Sequence, residues 1–85
     1  MEKTVKIQVP LGLEARPIAM LVQIASQFDS TVYLQTAGKK VNAKSIMGMM
    51  SLSLRTGDEI TVLAEGSDED SAIQSMEDYL LNQNK

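Results

Sequence analysis

The 85-residue sequence predicts an α+β open-faced β-sandwich, a four-stranded antiparallel sheet with three helices on one face, in the order β-α-β-β-α-β-α. Three observations lead there. The segments 4–9, 31–35 and 59–64 alternate polar and apolar residues, so each strand has a single apolar face. Other stretches place apolar residues at helical spacing. Short breaks rich in Gly, Pro, Asp and Ser separate the two kinds. A ferredoxin-like split β-α-β fold uses similar elements and is the near competitor.

The first strand runs through Thr4, Val5, Lys6, Ile7, Gln8 and Val9 and is broken by Pro10, Leu11 and Gly12. Pro17 suits a first helical turn, where its missing N–H is not needed. From there Ile18, Leu21, Val22, Ala25 and Phe28 define a core stripe that ends at Asp29 and Ser30. The second strand turns Val32 and Leu34 inward. Residues 36–39 form a tight turn with Gly38 available for positive φ, and Lys40, Val41 and Asn42 return as the third strand. Ser45 stands at an N-cap position ahead of a short helix that begins at Ile46. After a turn at 56–58, Ile60, Val62 and Ala64 share one face of the fourth strand. Ser67 or Asp68 caps a last helix with an acidic first turn and a buried stripe of Ala72, Ile73, Met76 and Leu80.

Composition narrows the function. The length suits one domain over residues 1–85, whose core leaves little interior for a deep pocket. There is no cysteine, so neither disulfides nor thiolate metal sites are available. There is also no histidine, which removes imidazole as nucleophile, proton shuttle or metal ligand. No metal or cofactor is expected. Eight basic and eleven acidic residues give a net charge of −3, and with one Phe, two Tyr and no Trp a nucleic-acid-binding face is not expected. No signal peptide is recognised, and no apolar run approaches the roughly 20 residues of a membrane span. A cytoplasmic protein with no membrane contact is expected.

Several residues are left over once the core is filled. At about 100° per residue, Arg16, Met20, Gln23 and Gln27 share a face of the first helix outside the core stripe, flanked by Ala19. Met20 is therefore expected to be exposed, although a lone surface methionine is ordinary. In the second helix Met49 and Leu52 are the natural core residues, leaving Ile46, Met47 and Met50 on the other face. Methionine adapts to several partner surfaces, yet a methionine stripe is also common core filler. Ser45 caps this helix, a contribution of about 1 kcal/mol. A phosphate there would bring roughly two negative charges to free N–H groups, and Lys39, Lys40 and Lys44 lie close enough in sequence to screen it. Glu14 precedes the first helix beside Arg16, and no second acid or base stands at a spacing that would make a catalytic dyad.

Two segments together resemble one family. Gly12-Leu13-Glu14-Ala15-Arg16-Pro17 resembles the active-site motif of HPr, the histidine-containing phosphocarrier of the bacterial sugar phosphotransferase system, which runs Gly-(Ile/Leu)-His-Ala-Arg-Pro. Residues 39–48, Lys-Lys-Val-Asn-Ala-Lys-Ser-Ile-Met-Gly, resemble the regulatory-serine motif of HPr from low-GC Gram-positive bacteria. Leu52 and Gly57-Asp58-Glu59-Ile60 continue in register, so the resemblance spans essentially the whole chain. The family fold is the open-faced sandwich read above. The departure is Glu14, which stands where the phosphocarrier has its histidine. A carboxylate could form only a labile acyl phosphate, so phosphocarrier activity is not carried over. Glu14 and Arg16 are then a degenerate phosphocarrier site. A histidine-less branch, the catabolite repression HPr-like proteins, keeps the serine but has glutamine at this position.

The resemblance implies a regulatory protein of carbon catabolite repression rather than an enzyme. Ser45 would be phosphorylated by the bifunctional HPr kinase/phosphorylase, using ATP or pyrophosphate. The phosphoserine form would act as corepressor of a LacI-type catabolite control protein without touching DNA itself. Ala15, Arg16, Ala19, Met20, Gln23, Ile46, Met47 and Met50 would form the docking face. Two alternatives use Glu14, as an unusual phosphoryl acceptor or as a fixed negative charge imitating phosphohistidine. A small-ligand-binding module is a third. The alternating first strand, followed by Pro10-Leu11-Gly12, permits a monomer or a strand-swapped homodimer.

Overall fold

Valine, isoleucine and leucine at alternate positions give each strand one face that must be covered, and the strands pair so that these faces coincide. The computed structural model describes residues 1–8, 16–36, 38–52 and 57–81, with the side chains of Arg16 and Pro17 outside that description. Strands β1 (Glu2–Lys6), β2 (Thr31–Thr36), β3 (Lys39–Asn42) and β4 (Glu59–Glu65) form one antiparallel sheet in the order β1-β4-β2-β3. In the split β-α-β competitor the third strand lies between the first two; here β4 does. The register sets Val5 opposite Ile60, Leu34 opposite both Val62 and Val41, and Val32 opposite Ala64. All seven apolar side chains therefore point to one side.

Helices α1 (Arg16–Ser26), α2 (Ile46–Met50) and α3 (Glu69–Leu80) cover that side. Leu21 and Ala25 of α1, Met49 of α2, and Ala72, Ile73, Met76 and Leu80 of α3 are buried against the strands. Ile18, Val22 and Phe28 border this core, as does Ile24, which lies outside the expected stripe of α1. The other face of the sheet is open. There the Thr4 and Thr61 hydroxyls hydrogen-bond at 2.8 Å, and the Lys40 ammonium sits 4.9 Å from the centre of the Tyr33 ring.

Two expectations need correction. The first strand begins at Glu2 rather than Thr4, because β4 is long enough to pair with Glu2 and Lys3 as well. It ends at Lys6. Ile7 is buried, but its N–H donates to Asp58 O and its carbonyl accepts from Gly57 N, in a turn where Gly57 has φ +99°. Gln8 N–H donates to Leu80 O at the end of α3. Val9 lies outside the described residues, as do Ala37 and Thr56 of the expected turns. Gly38 has the anticipated positive φ, +75°.

The second correction concerns Asp68. It occupies the N-cap position of α3 but makes no side-chain cap bond. Its carboxylate instead accepts from the Asp29 and Ser30 backbone N–H groups, each at 2.9 Å, and from the Ser30 hydroxyl. Ser30 is the one buried polar residue of the described core. A buried hydroxyl needs such a partner, and this one ties the end of α1 to the start of α3. Gly66 completes the joint, since a Cβ there would lie 2.7 Å from Ser30 Cα.

The Ser30 hydroxyl and the Asp29 N–H hold the Asp68 carboxyl below the usual carboxylate range. A depressed folded-state pKa adds stability that is present above the unfolded value of 3.8 and lost as pH falls through the folded value. Asp68→Asn should therefore flatten the stability profile below about pH 4, measured by urea denaturation across pH. Gly66→Ala should destabilise by more than about 1 kcal/mol in the same assay.

Candidate functional site

The turn between β3 and α2 is closed by two short polar residues, Asn42 and Ser45, around a buried alanine. Ala43 is fully buried, and its N–H donates to Val32 O at 2.8 Å, anchoring the turn to the sheet. Asn42 Oδ1 accepts from Lys44 N–H at 2.8 Å and Asn42 O accepts from Ser45 N–H at 3.0 Å. This closed turn delivers Ser45 in extended conformation (φ −107°, ψ 114°) to the N-cap of α2. Its Oγ accepts from Gly48 N–H at 3.2 Å, its carbonyl accepts from Met49 N–H, and the residue is exposed.

Helix α2 is only five residues long because Ser51 closes it. The Ser51 N–H and hydroxyl both donate to Gly48 O, and Lys39 Nζ donates to Ser51 O at 3.0 Å. So short a helix buries one side chain, Met49, with Leu52 buried just beyond it. Ile46, Met47 and Met50 are left 46%, 82% and 58% exposed, three neighbouring apolar groups beside the Ser45 hydroxyl. They form a group of exposed apolar side chains on one short helix.

The face of α1 expected to accompany them is exposed at Ala19, Met20 and Gln23. Helices α1 and α2 touch. Met20, however, lies toward α3, lining a groove of about 310 Å³ with Ile24, Gln27, Ser75 and Asp78. Ile24 stands four residues after Met20, and that spacing is the signal by which it could have been grouped with it. Glu14 and Ala15 lie outside the described residues, as does the Arg16 side chain.

The three lysines placed near Ser45 by sequence are each engaged elsewhere. Lys39 reaches the far end of α2, Lys44 Nζ donates to Phe28 O at 2.7 Å beyond the end of α1, and Lys40 lies over Tyr33 on the open face. Among the described residues, none of these three ammonium groups has Ser45 as its recorded partner. Among the described residues no His, Cys, Asp and Glu group could hold a metal ion. No described helix is long and apolar enough to cross a membrane.

Comparison with known proteins places this geometry. The family model described as "PTS HPr component phosphorylation site" matches residues 1–82. The HPr-like protein Crh of Bacillus subtilis (strain 168) is 48% identical over 79 residues, 93% of each chain. A crystal structure of the phosphocarrier protein HPr from Bacillus anthracis str. Ames superposes with a TM-score of 0.89 at 44% identity, covering 94% of this chain and 95% of that one. A crystal structure of Bacillus subtilis Crh gives a TM-score of 0.78 at 48% identity, covering 93% and 91%.

The difference between the buried and exposed residues of α2 is measurable. Met49→Ala should destabilise by about 2–5 kcal/mol, Ser45→Ala by about 1 kcal/mol through loss of the cap, and Met47→Ala by no more than about 0.5 kcal/mol. Chemical denaturation followed by circular dichroism reads all three.

Proposed function

The chain belongs to the HPr family, and from that premise we propose that it is a phosphoserine-switched regulator of carbon catabolite repression with no catalysis of its own. One observation carries the reading: an exposed Ser45 hydroxyl lies at the start of α2 next to the exposed Ile46, Met47 and Met50. The sequence contains no histidine, so phosphohistidine chemistry is closed to it. Glu14, at the position of the family's histidine, would offer only a carboxylate and a labile acyl phosphate.

In this reading HPr kinase/phosphorylase transfers a phosphoryl group to Ser45 Oγ. The product carries roughly two negative charges beside the first N–H groups of α2, where the fold tolerates an anion. Before modification the surface offers a small hydroxyl among apolar side chains. After it, a dianion sits beside the same apolar group, and a partner needs both a cationic contact and an apolar recess to cover it. The LacI-type catabolite control protein is that partner, with Ala15, Arg16, Ala19, Met20 and Gln23 extending the contact along α1. The protein would act in the cytoplasm and bind the repressor rather than DNA.

The Bacillus subtilis relative crystallised as a dimer with a swapped domain. Among the described residues β1 is an edge strand whose one strand partner is β4. Exchange of β1 between two copies would rebuild the same β1–β4 ladder, so we propose a monomer in exchange with a strand-swapped homodimer. Light scattering after size-exclusion chromatography should resolve both species.

Incubation with HPr kinase/phosphorylase and ATP should add one phosphate to the wild type and none to Ser45→Ala; phosphate on that variant would refute the assignment. The phosphorylated form should bind the catabolite control protein in a salt-sensitive manner. Met47→Ala combined with Met50→Ala should weaken that binding by about tenfold or more, read by calorimetry.

A further inference from the structure

Helix α2 contains a glycine that neither its backbone nor its packing requires. Gly48 lacks the positive φ of Gly38, Gly57 and Gly66. A methyl group built on it would meet Ser45 Oγ at 3.4 Å, Ser45 Cβ at 3.6 Å and Val41 Cβ at 3.7 Å, all ordinary contact distances. Alanine therefore fits, and it is a much better helix former than glycine. In a helix of five residues that preference should count. The marked effect of the methyl would be to rest against the Ser45 hydroxyl oxygen, whose other close neighbour on α2 is the Gly48 N–H itself.

We propose that Gly48 is a positioning residue for phosphorylation of Ser45, its missing side chain keeping one flank of the hydroxyl open to the phosphoryl donor. The inference rests on the reading that Ser45 is the modified residue. In the transfer, Ser45 Oγ bonds to the γ-phosphorus of ATP as the bridging P–O bond to the β-phosphate breaks. ADP leaves, and the hydroxyl proton passes to a base of the kinase. Oγ must meet the phosphorus in line with the leaving oxygen, and three phosphoryl oxygens must then fit around it. A methyl at 3.4 Å from Oγ restricts both the approach and the product rotamers, whereas a hydrogen restricts neither. Misplacement of reacting atoms by about 1 Å is enough to slow a reaction by about a hundredfold.

The test compares the full-length wild type, Gly48→Ala and Gly48→Leu as substrates of HPr kinase/phosphorylase with ATP. Gly48→Ala should melt no lower than the wild type, yet its kcat should fall about tenfold or more with KM little changed; Gly48→Leu should be slower still. A wild-type kcat in Gly48→Ala overturns the inference. So does a loss carried by KM alone, which would make Gly48 a docking contact, or a lower melting temperature, which would give the glycine to the fold. If the wild type itself takes no phosphate on Ser45, the functional reading fails and the inference with it. Phosphorylation of the wild type with an unimpaired Gly48→Ala sinks the inference alone.

Discussion

Pairing of β4 with both β1 and β2 is the contact on which the remaining structure depends. The strand is the last of the four in sequence, and it closes the sheet between two segments that the chain has already laid down. Its alternation of Ile60, Val62 and Ala64 with Glu59, Thr61, Leu63 and Glu65 determines which side is dry. Because an antiparallel strand has period 2, a slip of one residue would exchange the two faces. Val5, Val32 and Leu34 match it in register, and the three helices are drawn to the same side.

One-sided coverage explains why so much apolar surface remains on the helical layer. α1 and α3 lie along the sheet and each buries a stripe. α2 is confined between the β3 turn and the Ser51 cap, too short to bury more than Met49. Ile46, Met47 and Met50 stay outside the core. Their exposure follows from helix length and packing geometry, and it is this leftover surface, next to Ser45, that the functional reading employs. The Asp68 carboxylate, meanwhile, joins the α1–β2 and β4–α3 connections by satisfying the buried Ser30. Lys44, beside Ser45 in the chain, donates from Nζ to Phe28 O on the same peptide whose Asp29 N–H Asp68 holds.

The three lysines near Ser45 in the chain show how little sequence proximity says about where a long side chain goes. Lys39, Lys40 and Lys44 are neighbours in the chain, but the hairpin sends Lys40 to the open face of the sheet, while Lys39 and Lys44 reach backbone carbonyls at two helix ends. A long flexible ammonium goes to the nearest carbonyl acceptor or ring face, and sequence separation does not reveal which that is. Met20 makes the same point: its exposure was readable from helical period, but its place in a groove against α3 was not.

Local chemistry by itself determined the element order, the inward residues of β2 and β4 and the Ser45 cap. Each of these depends on a periodicity or on a hydrogen bond within a few residues. Local chemistry left the α2 methionines open between core and surface, and burial of Met49 with Ile46, Met47 and Met50 exposed divided them. The zero count of histidine likewise excluded phosphohistidine chemistry without any structure. Only the tertiary structure decided that β4 rather than β3 lies between β1 and β2, that β1 starts at Glu2, that Ile24 borders the core, and that Asp68 serves Ser30 instead of its own helix. These depend on contacts between residues far apart in the chain. For Asp68 the competition is physical: three N–H and O–H donors converge on the carboxylate from the opposite loop, and together they outweigh the single N–H that a helix cap would have offered.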